Sequence, residues 1–114
     1  MERLRHRADF LAAATGPRAP ANAFVLQTRK REDEGPIRVG FTVSRKVGNA
    51  VERNRVRRRL REIVLRNAEA GMRQGHDYVL IGRRAALASP LERMIEEFDR
   101  ALRRVHAQRS GSNR

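Results

Sequence analysis

The residues with the clearest chemical potential are the arginines between positions 45 and 61. This segment, RKVGNAVERNRVRRRLR, crowds six arginines into less than three turns of a predicted helix. At about 100° per residue, one stripe of that helix carries four polar residues: Asn54, Arg57, Arg58 and Arg61. Guanidinium groups this close repel one another, and their planar forks suit phosphate oxygens. The segment therefore predicts a surface that binds the phosphate backbone of a nucleic acid.

The charge of the whole chain points to the same kind of partner. Its 114 residues include 26 Lys and Arg against 13 Asp and Glu, a formal net charge of +13. Soluble domains usually mix both signs, so this excess indicates a polyanionic partner. The alternative is a solvated helix with many salt bridges along its surface. Such a helix needs acidic residues at matching spacing, and residues 45–62 contain only two, Glu52 and Glu62.

Catalytic residues are not apparent in the sequence. A protein nuclease would need clustered carboxylates for metal ions or a histidine pair for acid–base chemistry. The three histidines, His6, His76 and His106, are scattered over a helix, a strand edge and a last helical turn, which predicts surface or capping roles. Asp9 and Asp77 are single acids near arginines, and Asp77 is predicted to be structural. With cysteine absent as well, we assign no catalytic residue and no metal ligand to the chain.

The first half of the chain is predicted to form a helix and two strands. Residues 3–14 form the helix, ended by Gly16-Pro17. Residues 22–28 and 37–44 form the strands, and the short charged link between them suggests an antiparallel hairpin. In the second strand Phe41 and its alternate neighbours form an apolar face, and Gly40 and Thr42 lie on the small, polar face.

Two helices and a strand follow. A capping box of Asn49 and Glu52 starts a helix over 49–71, whose packed stripe is Val56, Leu60, Ile63, Val64 and Asn67. Residues 78–81 are apolar throughout and predict a central strand. The last helix starts with Ser89 as N-cap, Pro90 at the first helical position and Glu92 at N3.

This order predicts an α/β (α+β) two-layer sandwich, with helices packed on a small mixed sheet. One domain covers residues 1–106, and residues 107–114 form a disordered basic tail. The chain has no signal-peptide core and no run of about 18 apolar residues. We therefore expect a cytoplasmic protein without a membrane span.

The run RVGFTVSRKVGNAVERNRVRRRLRE strongly resembles the signature of the bacterial ribonuclease P protein family, S-[RK]-K-x-G-x-A-V-x-R-N-R-x-[RK]-R-x-x-R after a strand. The similarity extends weakly to RADF, AFVLQT and HDYVLIGR. The resemblance implies a left-handed crossover between parallel strands, whereas physical principles alone favour a right-handed one. It also implies a subunit that binds a catalytic RNA and helps it remove the 5′ leader from precursor tRNA.

The resemblance also assigns residues and partners. In the family, the RNA performs the hydrolysis with Mg²⁺, and one protein monomer in a 1:1 complex with the RNA is expected. The family's RNA-facing motif positions correspond to Arg45, Lys46, Arg53, Asn54, Arg55, Arg58 and Arg61. Arg57, from the polar stripe of the helix, completes the predicted RNA-binding set. The cleft that holds the leader corresponds to Phe10, Val25, Gln27 and Thr42.

Two positions depart from the family pattern. Ala14 and Gln27 stand where members often carry aromatic residues. Stacking on an aromatic ring contributes about 1–3 kcal/mol per base, so leader contacts here are expected to be weaker or to depend more on hydrogen bonds.

Three other classes of nucleic-acid-binding protein fit the sequence less well. A ribosomal protein fits the size and charge, but it has no need of the SRKVGNA turn before an RNR helix. A helix-turn-helix protein would need two consecutive helices, and the arginine-rich helix is flanked by strands. An RRM needs stacking aromatics on its sheet, and here Phe41 is assigned to the core.

Overall fold

The computed structural model describes residues 1–108, apart from the side chains of residues 68–70. Its strands and helices are, in chain order, β1 (Glu2–Arg3), α1 (Arg7–Ala13), β2 (Arg18–Pro20), β3 (Phe24–Lys30), β4 (Arg38–Thr42), α2 (Ala50–Gly71), β5 (His76–Gly82) and α3 (Leu91–Ala107). The predicted α+β class with a mixed sheet is confirmed. Strands β1 and β2 are absent from the sequence-based prediction, because strands of two and three residues are too short to show alternation.

The five strands are arranged in the order β1-β4-β5-β3-β2. The predicted central position of β5 is confirmed. The predicted hairpin of β3 and β4 is wrong, because β5 lies between them, antiparallel to β3 and parallel to β4. The apolar run of β5 needs cover on both faces, and a central strand receives it. Because α2 connects β4 to β5, these elements form a βαβ unit; its left-handed sense stays a prediction.

Helices cover both faces of the sheet. On one face α2 and α3 enclose the main core, in which the Phe24 and Phe98 rings meet edge to face at 6.2 Å. On the other face α1 packs over a smaller cluster that includes Val79 of β5 and Ala13 of α1. The two-layer sandwich thus gains a partial third layer. The alternation predicted for β4 is confirmed, since half-buried Phe41 packs against the main core and Gly40 lies against α1.

The start of α3 differs from the prediction by one residue. Pro90 rather than Ser89 is the N-cap, and no side chain caps the helix. Ser89 lies instead between a 3-10 turn (Arg84–Leu87) and α3, and its N–H donates to the Ala85 carbonyl at 3.0 Å. Its hydroxyl is buried and has no hydrogen-bond partner in the described part of the chain.

The end of α3 includes part of the predicted tail. The helix runs to Ala107, and the Gln108 side chain accepts from the Arg18 N–H at 3.2 Å and donates to the Arg18 carbonyl at 2.8 Å. The rest of that predicted tail, residues 109–114, lies outside the described residues. None of the described helices is both long enough and apolar enough to cross a membrane.

Candidate nucleic-acid interface

The beginning of α2 is held by a capping box. Asn49 Oδ1 accepts from the Glu52 N–H at 2.9 Å, and Glu52 Oε1 accepts from the Asn49 N–H at 3.0 Å. The hydrogen bond from the Asn49 backbone, and then the one from Arg84, lower the pKa of Glu52. This predicted start of the helix is confirmed, and it directs α2 along the sheet immediately after the turn at Arg45–Val47.

Gly48 makes that turn possible. Its φ of +157° lies in a region that L side chains rarely adopt. A Cβ built on Gly48 would lie 2.1 Å from Glu52 Oε1, so a side chain would collide with the capping box. Gly48 therefore fixes the angle at which the chain enters α2.

One side of α2 is packed and the other is cationic, as predicted. Val56, Leu60, Ile63 and Val64 are at most 2 % exposed. We call the predicted RNA-binding set the α2 cationic face; its members are Arg45, Lys46, Arg53, Asn54, Arg55, Arg57, Arg58 and Arg61. Arg53 and Arg57 are half-buried and the other members are exposed. Arg57 Nη1 donates to Asn54 Oδ1 at 3.0 Å, so two members of the predicted stripe are in contact.

Among the side chains that the structure describes, no acidic group neutralises the charges of the α2 cationic face. Glu52 pairs with Arg84 at 3.4 Å, and Glu62 pairs with Arg66 at 2.6 Å. These contacts leave both acids of the helix's first four turns bound to arginines outside the set. The alternative of a helix laced with salt bridges is thus excluded for the described residues.

Arg59 belongs to the same arginine run but has a structural role. Its Nη2 donates to the Ser89 carbonyl and lies 3.7 Å from Met94 Sδ. Arg59 therefore ties α2 to the start of α3. Helical spacing distinguishes Arg59 from the exposed arginines, because it lies three residues after Val56 and four before Ile63, on the packed side.

Strand register brings three of the four predicted cleft residues, Val25, Gln27 and Thr42, to the face of the sheet that α1 covers. Ile81 of β5 pairs with Val25 on one side and Thr42 on the other. The next row along the strands consists of Gln27, Val79 and Gly40.

The Phe10 ring of α1 covers Gly40 in this row. A Cβ on Gly40 would lie 2.5 Å from the nearest carbon of that ring. We call the space between α1 and this face of the sheet the groove. Its open end is the row that contains Thr42, which is exposed. Gln27 is only 5 % exposed, so it lies at the base of the groove. Ile81 could not be assigned to the groove from the sequence, because the continuous apolar run of β5 does not show which residues face it.

An ion cluster of Asp9, Arg29, Arg31, Arg38 and Asp77 anchors α1 to this face. Asp77 is fully buried and accepts from Arg31 at 2.6 Å, Arg38 at 2.8 Å and Arg29 at 3.1 Å. Burial alone would raise the pKa of Asp77, but hydrogen bonds from Arg38 and Arg31 outweigh it and lower the pKa. Asp9 of α1 lies 3.5 Å from Arg29 and 3.6 Å from Arg38. The predicted structural role of Asp77 is confirmed.

Two of the three histidines are not scattered, contrary to the prediction. The His76 and His106 rings are 5.2 Å apart, and His106 Nε2 lies 2.7 Å from the Tyr78 hydroxyl. That hydroxyl accepts from the Arg73 N–H, so its own proton points to His106. Burial raises the pKa of Tyr78 to about 12, and burial, followed by the nearby charges of Arg73 and His76, lowers the pKa of His106 to about 4.

The histidine pair is remote from the beginning of the α2 cationic face. His76 starts β5, whereas that face begins where the parallel strands β4 and β5 end. Among the described side chains, no three His, Asp, Glu or Cys residues are grouped so that they could hold a metal ion.

Comparisons with known proteins agree with this geometry. The family model described as ribonuclease P matches residues 1–106. A ribonuclease P protein component of Ruegeria pomeroyi is 52 % identical over 108 residues, which cover 91 % of this chain and 86 % of that protein. One from Bartonella quintana is 43 % identical, covering 89 % of this chain and 80 % of the relative.

Solved structures agree in fold as well. The RNase P protein of Thermotoga maritima aligns with a TM-score of 0.73 at 31 % identity, over 96 % of this chain and 99 % of that one. The Staphylococcus aureus RNase P protein aligns with a TM-score of 0.74 at 26 % identity, over 90 % of this chain and 94 % of the other. Motif, fold and relatives coincide, and the chain belongs to the ribonuclease P protein family.

Proposed function

We propose that this protein binds the catalytic RNA of ribonuclease P and the 5′ leader of precursor tRNA, and so promotes removal of the leader. The observation that carries the proposal is the α2 cationic face, whose charges have no acidic partner among the described residues. Phosphates would supply the missing negative charge, and each neutralised phosphate adds to affinity and to its salt dependence.

The groove between α1 and the sheet is the proposed leader site. Its entrance offers the Thr42 hydroxyl and the half-buried side chains of Val25 and Phe10. Because Gln27 is nearly buried and Ala14 has no ring, Phe10 is the aromatic surface available there. This composition supports weaker leader stacking than a groove with additional aromatic residues would give.

Hydrolysis is assigned to the RNA rather than to the protein. In the proposal Mg²⁺ acts through the RNA, and no protein ligand is assigned to it. His106 stays neutral and is bonded to Tyr78, which suits a structural role better than proton transfer. We also propose one protein monomer per RNA, because the α2 cationic face and the groove give a single chain one surface for each RNA. The proposed location is the cytoplasm.

The test is cleavage of precursor tRNA at low Mg²⁺ by a bacterial ribonuclease P RNA, with and without the protein. Protein and RNA together should release the leader, while neither alone should do so. If the protein leaves cleavage unchanged yet binds structured RNA with a steep salt dependence, it is a ribosomal-type binding module and the proposal fails.

Substitutions locate the interface. Arg55→Ala and Arg58→Ala should each reduce the slope of log affinity against log salt by about 1, because each removes about one phosphate contact. Arg104→Ala is the matched control, since Arg104 is an exposed arginine of α3 outside the α2 cationic face. Equal changes for all three variants would mean that net charge alone, rather than this face, binds the RNA.

A further inference from the structure

A small apolar cavity lies where β1 meets the middle of α2. Its volume is about 240 Å³, and Val39, Phe41 and Val64 are among its lining residues. At its rim Leu65 is 64 % exposed and Met1 is 55 % exposed. Large apolar side chains this open to water are available to a partner. We call this site the Phe41 cavity.

Arg61 connects the Phe41 cavity with the α2 cationic face, because it belongs to both. Its guanidinium carbon lies 5.9 Å from the centroid of the Phe41 ring. Arg61 is exposed, and it has no ion-pair partner among the described residues. A planar guanidinium that covers one ring with one face can stack a second flat group on the other.

The lining of the cavity selects between the parts of a polyanion. The lining includes the Glu2 carboxylate and the guanidinium groups of Arg3 and Arg61. Its apolar part, around Phe41, offers no hydrogen bond to a phosphate, which would lose its hydration on entering. A neutral, flat, mostly apolar group does not meet that cost. The neighbouring arginines of α2, meanwhile, attract the anionic backbone that carries such a group. Single-stranded nucleic acid combines these two features, since its bases present stacking faces and its phosphates follow a basic surface.

We propose that the Phe41 cavity binds one unpaired nucleobase of the RNA whose phosphates lie along the α2 cationic face. The base stacks against Arg61 and contacts Leu65, while the adjoining phosphates remain on the arginines outside. The inference rests on the proposed function, because it assumes that α2 binds RNA.

The first experiment compares the affinities of full-length variants for a bacterial ribonuclease P RNA over a salt series. Arg61→Lys keeps the charge but loses the flat stacking surface, and Leu65→Gln removes an exposed apolar contact without adding charge. Each should weaken binding at least about fivefold, with the salt slope unchanged because no phosphate contact is lost. Arg66→Lys and Val51→Gln, the same changes on exposed α2 residues outside the cavity, should leave affinity unchanged.

A second measurement identifies the base. Dimethyl sulfate methylates unpaired adenine and cytosine, so a base inside the cavity should be protected by the wild-type protein and become reactive with Leu65→Gln. Affinities and protection patterns equal to those of the control variants would overturn the inference while leaving RNA binding intact. A wild-type protein that does not bind this RNA would instead refute the proposed function, and the inference with it.

Discussion

Replacing Asp77 with asparagine tests the structural basis of the groove. Three arginines of the ion cluster converge on this fully buried carboxylate, with N···O distances of 2.6 to 3.1 Å. Asp77→Asn keeps the size of the side chain but removes its charge. Arg29 and Arg38 would then keep Asp9, 3.5 and 3.6 Å away, and Arg31 would keep the exposed Asp33.

The expected loss is large because the cluster is buried. Removing one partner of a buried ion pair typically costs about 3–5 kcal/mol, against a total stability of about 5–15 kcal/mol for a domain. With an m-value of about 1–3 kcal/mol/M in urea, the unfolding midpoint should fall by at least about 1 M. The loss should persist at high salt, since buried charges are poorly screened.

Urea denaturation followed by circular dichroism measures this loss. Asp33→Asn is the matched control, because Asp33 also pairs with Arg31 but is 60 % exposed; it should cost at most about 1 kcal/mol. A loss of less than about 1 kcal/mol for Asp77→Asn, equal to that of the control, would refute the reasoning that burial makes this cluster essential.

Three further changes test the groove, the turn and the histidine pair. Gly40→Ala would press on the Phe10 ring, so affinity for precursor tRNA should fall toward that for mature tRNA while binding to the ribonuclease P RNA persists. Gly48→Ala should lower the free energy of unfolding by at least about 1 kcal/mol, measured in urea. Because the pKa of His106 falls to about 4 on folding, the unfolded chain binds more protons between about pH 4 and 6.5, and stability should fall as pH drops through that range; His106→Asn should flatten the dependence measured by thermal melts.

The sequence by itself determined the local elements and the candidate RNA-binding helix. Asn49 and Glu52 are three residues apart, so their capping box depends on local spacing alone. The cationic and packed sides of α2 likewise follow from helical periodicity, because side-chain direction repeats every 3.6 residues. Three strands, β3, β4 and β5, were likewise predicted from local hydrophobic patterns and are present in the structure.

Tertiary structure decided what lies next to what. The position of β5 between β3 and β4 depends on pairings between distant segments, which no local pattern records. That pairing placed Ile81 in the groove and aligned Asp77 with Arg29 and Arg38 on one row. The packing of α3 brought His106 to His76. Local spacing reveals which face a residue occupies, but contacts between elements depend on which buried surfaces together cover the sheet.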